Sequence, residues 1–126
     1  MLAVSDPSAA IEFYQRAFGA RVRWQIGDPA DVAELAVEGA DFFLAREQAK
    51  NPRSPDSGGF TTCRIELFVD DPVAVQARAV GAGAMARGSV DLHEHSLSSP
   101  VGETLRMLQG GVTDPFGHIW LIGKFL

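Results

Sequence analysis

Asp91-Leu92-His93-Glu94-His95 is the stretch of this chain whose residue types and spacing point most directly to chemistry. In an extended strand side chains alternate, so Asp91, His93 and His95 share one face, and imidazole plus carboxylate is a ligand set suited to zinc or iron. Solvent-exposed histidines beside a polar Ser/Pro stretch give the same pattern, and no fourth ligand stands nearby. His118 follows Gly117 and reads as a turn histidine hydrogen-bonding its loop. Cys63, the single cysteine, begins a strand next to Arg64 and reads as a structural thiol; alone it excludes an intrachain disulfide. Gly58-Gly59 and Gly110-Gly111 lack the strand-loop-helix setting of a phosphate loop, and there is no nucleophile elbow.

The elements that must position these residues are legible as a repeat. Val4-Ser5-Asp6-Pro7 recurs as Val69-Asp70-Asp71-Pro72, each time with apolar residues before it and Ala-rich sequence after it. In each copy a β-rich run ends at Asp, whose carboxylate caps a helix, and Pro takes the first helical position, where its missing N–H costs nothing. Two similar halves are implied. Ile11, Tyr14 and Phe18 give the first helix a buried stripe before Gly19; Val73, Ala77 and Val80 give the second its stripe before Gly81 and Gly83. After the first helix the period falls to two. Val22, Trp24 and Ile26 alternate with Arg21, Arg23 and Gln25, and strands follow over 32–37 and 42–45, separated by Gly27-Asp28-Pro29 and Gly39-Ala40-Asp41. The second half supplies a strand from Cys63 to Asp70, a helix from Pro72, and strands near 84–87, 104–109 and 118–125. Each half therefore reads β-α-β-β-β, with module one over 1–47, module two over 61–126 and a linker over 48–60. Pro52 and Pro55 stiffen that linker, a connector able to fold over a site. Ser96 to Gly102 reads as a long hairpin loop.

Composition sets the outer bounds. A chain of 126 residues with 46% hydrophobic and 21% charged residues is a globular domain, not a disordered segment or a disulfide-stapled miniprotein. No apolar run approaches the roughly 18 residues of a membrane helix, and the N-terminus has no signal-peptide pattern, so a cytoplasmic protein without membrane partners is expected. A net charge of -5 has the wrong sign for a nucleic-acid partner.

Ala10-Ile11-Glu12-Phe13-Tyr14-Gln15-Arg16-Ala17-Phe18-Gly19-Ala20 and Gly110-Gly111-Val112-Thr113-Asp114-Pro115-Phe116-Gly117-His118-Ile119-Trp120 resemble the two hallmark segments of the vicinal-oxygen-chelate superfamily, which groups glyoxalases, bleomycin-resistance proteins and extradiol dioxygenases. The resemblance is to its PhnB-like subfamily, includes Ala33-Glu34-Leu35, and spans nearly the whole chain. It implies an α+β fold of two βαβββ modules forming half-open curled sheets, paired in a homodimer. Trp24, Phe43 and Trp120 on alternating strands agree, since they otherwise leave aromatic surface in water.

Enzymes of the superfamily hold a divalent metal with His, Glu or Gln at three strand positions. Carried onto this chain, the first falls upstream of Leu2, the second on Arg64 and the third on Leu121; neither side chain offers a metal a lone pair. Glu66, two residues beyond Arg64 on the same strand face, is the nearby carboxylate able to substitute. Without a metal the cup works by shape, stacking and charge: Trp24, Phe43, Phe60, Phe68, Met107 and Trp120 line or floor it, and Arg46 and Arg64 meet carboxyl or carbonyl groups. The overall acidity favours a cationic ligand instead, so ligand charge stays open. The expectation is a cofactor-free, metal-independent protein sequestering a small hydrophobic or aromatic natural product or antibiotic at a dimer interface, as bleomycin-resistance-type proteins do. The alternative is a metal-dependent glyoxalase- or dioxygenase-type enzyme with one divalent metal per site, held by Glu66 or by Asp91, His93 and His95, acting on vicinal oxygens.

Overall fold

The computed structural model describes residues 1–98 and 103–126, so the end of the expected hairpin loop, 99–102, lies outside the described residues. Module one runs β1 (Leu2–Val4), α1 (Pro7–Phe18), β2 (Arg21–Ile26), β3 (Val32–Val37) and β4 (Ala40–Arg46); the linker holds a single turn, α2 (Pro55–Gly58). Module two runs β5 (Arg64–Phe68), α3 (Pro72–Gly81), β6 (Met85–Ala86), β7 (Asp91–Ser96), β8 (Thr104–Thr113) and β9 (Ile119–Phe125). The repeated caps behave alike. Asp6 accepts the Ala9 N–H at 3.1 Å and Asp71 accepts the Ala74 N–H at 3.0 Å, each before its helix-opening proline.

The first sheet has the order β1-β4-β3-β2 and the second β5-β9-β8-β6, with β7 also on β8. In each module the first strand pairs in parallel with the last, β1 with β4 and β5 with β9. Both sheets are open, and the architecture is α+β. Module two departs from the expected single strand near 84–87. β6 and β7 both pair antiparallel with β8, so one strand position is broken at Arg87-Gly88-Ser89-Val90, where Gly88 turns with φ 73°. The β3–β4 turn falls on Glu38-Gly39, both at positive φ (49° and 78°), and β4 begins at Ala40, earlier than the sequence indicates. Such a two-residue turn needs left-handed conformations, which glutamate does not advertise.

One face of the sheets is covered by α1 and α3, and the core lies there. Tyr14, Leu35, Leu44, Val112 and Ile122 are fully buried, and Tyr14, Phe18, Phe42 and Trp120 form an aromatic cluster with centroids 4.8–6.1 Å apart where paired. The α1 stripe is buried as expected. The α3 stripe is not: Val73 and Val80 are exposed, and Pro72, Val75 and Ala79 are buried instead. Alanine and valine surround this helix, so periodicity alone does not select a face. The small Ala79 side suits a close approach, and Arg78 Nε donates to the Ala17 carbonyl of α1 at 2.8 Å.

The Asp114-Pro115-Phe116-Gly117 turn joins the modules. Asp114 accepts the Tyr14 hydroxyl at 2.6 Å and Trp120 Nε1, the Phe116 N–H and the His118 N–H at 2.9 Å each. His118 Nε2 lies 2.7 Å from the Ala3 carbonyl oxygen, so its partner is β1 across the module boundary, not its own loop. The linker docks on the same turn. Ser54 is fully buried and donates its hydroxyl to the Phe116 carbonyl at 3.0 Å, as does the Asp56 N–H. Gly117 has φ 84°, and a Cβ there would stand 2.7 Å from the Asp56 nitrogen, so a glycine is needed for the linker to seat.

Candidate functional site

Strand register places the exposed chemistry of module two on the face away from the helices. Across β5 and β9, Arg64 pairs with Ile119, Glu66 with Leu121 and Phe68 with Gly123. Across β8 and β9, Met107 pairs with Phe125 and Gln109 with Gly123; across β7 and β8, Asp91 pairs with Gln109 and His93 with Met107. Partners in register share a face, so these residues form one surface. Phe68 and Phe125 stack on it, centroids 4.6 Å apart and planes 17° apart, both half-exposed. Met107 is buried at its floor, and Arg87, Asp91, His93, Gln109 and Leu121 line a recess of about 260 Å³.

Module one has a matching open face. Trp24 and Phe43 are both register partners of Glu34, and their rings lie 5.8 Å apart while 41% and 39% exposed. Every residue of β2 is exposed, including Val22 and Ile26. Two half-exposed aromatic pairs thus occur, one per sheet, with Arg64 and Glu66 next to the second.

Three expected lining residues lie elsewhere. Trp120 is 2% exposed on the helix side, where its indole N–H is held by Asp114 and its ring by Tyr14, Phe18 and Phe42; it is a core residue. Arg46 follows the Leu44 side of β4: Nε meets Asp31 at 3.0 Å and a terminal nitrogen donates to the Ala30 carbonyl at 3.3 Å, so it pins the β2–β3 loop. Phe60 projects from the linker and lines a different cavity. Phe125, Gln109 and Arg87 are the open-face residues that sequence reasoning missed. Alternation of Ile119, Leu121 and Phe125 against Trp120 and Ile122 in β9 was the available signal.

The metal reading does not fit within one chain. Asp91, His93 and His95 do share a face, with the two imidazoles 6.4 Å apart, but no three His, Cys, Asp or Glu side chains converge among the described residues. Glu66 stands opposite Leu121 with Arg64 two residues away and shares a recess with Asp41, two carboxylates without a third donor among the described residues.

The Tyr14 hydroxyl titrates well above the ordinary tyrosine range, first because it is buried and second because it faces the Asp114 carboxylate.

A glyoxalase-like domain matches residues 1–120. The chain belongs to the glyoxalase-like family. This glyoxalase-like domain is 32% identical over 130 residues to an uncharacterized protein of Mycobacterium tuberculosis, covering 98% of the chain and 71% of that protein. A crystal structure of an Arabidopsis thaliana gene product is similar at 25% identity and a TM-score of 0.70, covering 96% of this chain and 90% of that one. A glyoxalase/bleomycin resistance protein from Albidiferax ferrireducens shares the fold at 14% identity and a TM-score of 0.65, with 98% and 94% covered. The glyoxalase-like domain is therefore a member of the vicinal-oxygen-chelate superfamily. No helix among its described residues is long and apolar enough to cross a membrane.

Proposed function

We propose that this glyoxalase-like domain is a metal-independent, cytoplasmic small-molecule-binding protein of PhnB-like or bleomycin-resistance type. It sequesters a hydrophobic or aromatic compound on its open sheet faces, and a second copy closes them in a homodimer. One observation carries the reading: Trp24 with Phe43, and Phe68 with Phe125, are packed ring against ring yet half-exposed. Aromatic rings left in water are stabilised by covering, at about 25 cal/mol per Å² of apolar surface, and their flat faces suit planar ligands. Arg64 and Glu66, on the same face of β5, offer a cation and an anion at the rim.

Fluorescence titration with anilinonaphthalene sulfonate and with bleomycin tests this. Energy transfer to a bound fluorophore reaches the buried Trp120 as well, so the part of the quenching lost in Trp24→Phe is what reports Trp24. Saturable quenching is expected, weakened about tenfold in Phe43→Ala. Absence of quenching, or equal quenching in Trp24→Phe, contradicts the reading.

A further inference from the structure

The recess of about 260 Å³ on the open face of module two sits at the break between β6 and β7, and that break is fixed from beneath. Gln76 of α3 donates its side-chain amide to the Gly88 carbonyl at 3.0 Å and to the Gly111 carbonyl at 2.9 Å, and the Arg87 N–H donates to Gly111 at 2.8 Å. Gly110 is needed for this approach, because an added Cβ would stand 2.8 Å from a Val90 methyl and 3.0 Å from the Gln76 amide. The Arg87 backbone is thereby pinned to β8. Its side chain leaves on the open face, beside Gly111 and Leu121.

Arg87 and Asp91 bring opposite charges to this recess, yet the ion pairs among the described residues all lie elsewhere. Each is held on its own side by a hydroxyl. A terminal nitrogen of Arg87 donates to the Thr113 hydroxyl at 3.3 Å, and the Ser89 hydroxyl donates to one Asp91 oxygen at 2.8 Å. Most of the guanidinium fork and the second Asp91 oxygen are left without a hydrogen-bond partner among the described residues. Half-buried Gln109 stands next to Asp91 in register, and the same row continues through Gly123 to Phe68, which stacks on Phe125. Gly123 has no side chain, so the recess opens across it toward the aromatic pair.

We propose that this recess is the head-group subsite of the open face, and that its ligand is an aromatic amino acid or a derivative keeping both head-group charges free. The proposal rests on the open-face reading above and specifies the ligand class. The carboxylate meets the free edge of Arg87, the ammonium meets the open oxygen of Asp91, and the ring lies over Leu121 and Gly123 toward Phe68 and Phe125. A lone acid is attracted by Arg87 and repelled by Asp91, and a lone amine the reverse, so a dipolar head group is the one that both charges favour.

Calorimetric titration of the full chain with three compounds sharing one ring tests this: naphthylalanine, naphthylpropionate, which lacks the amine, and naphthylethylamine, which lacks the carboxylate. Naphthylalanine is expected to bind about tenfold tighter than either. Arg87→Gln should remove its advantage over the amine and keep that over the acid; Asp91→Asn should do the opposite, a crossing that unfolding cannot produce. Equal binding of all three by the parent, or variants that erase both advantages or neither, overturns the proposal. Failure of all three to bind while anilinonaphthalene sulfonate still gives quenching that depends on Trp24 overturns this proposal alone, and failure of both overturns the open-face reading with it.

Discussion

Asp114 is the residue on which the two modules converge, because its carboxylate is satisfied by donors from α1, from β9 and from its own turn. Removing the Tyr14 hydroxyl leaves a buried carboxylate short of one donor, and Tyr14→Phe should cost about 1.5–3 kcal/mol in urea unfolding. The pH dependence has a definite sign. An acid whose native pKa is raised adds stability below the ordinary tyrosine range, and that stability is lost as pH rises through the native value. Alkaline titration should therefore destabilise the parent more steeply than Tyr14→Phe, and parallel curves contradict it. Trp120 and Arg46 show why single residues were hard to assign from sequence. Ile119-Trp120-Leu121-Ile122 is apolar on both faces, so alternation separates the two sets without saying which is covered. Arg46 continues the buried register of Leu44, and its partner Asp31 lies in the β2–β3 loop, where Gly27-Asp28-Pro29 signals a turn but not which side chain the loop presents to Arg46.

At the level of elements, the linker is a docked structural piece. Gly117→Ala places a Cβ against the Asp56 and Pro55 backbone at positive φ, a strain of about 1–3 kcal/mol. Its expected result is lower stability together with faster proteolysis within 48–60; unchanged cleavage contradicts the docking. Glu47 is part of the same seat. It accepts the Ser54 N–H and then the Ser57 hydroxyl, and these bonds hold its carboxyl below the ordinary glutamate range. The duplicated Asp-Pro caps made both helices readable, since the cap chemistry is local. The buried face of α3, the strand β7 and the seating of the linker were not readable in that way. Each depends on what packs from elsewhere in the chain: α1 against α3, β8 against 91–96, and the Gly117 turn against Ser54.

For the whole molecule, the open sheet faces are the feature that the core leaves unresolved. β2 is exposed along its length, and Trp24, Phe43, Phe68 and Phe125 lie uncovered, the last two on the sheet that carries Arg64 and Glu66. The proposed homodimer covers them, so Trp24→Glu with Phe43→Glu should shift sedimentation toward the monomer without unfolding the chain. The central claim is that these faces bind an aromatic compound without a metal. It is tested most directly by calorimetric titration of a compound found to quench Trp24, comparing chelator-stripped protein with protein supplied with zinc or manganese. The account predicts affinities equal within about twofold. Binding or turnover that appears only when the metal is restored would contradict it.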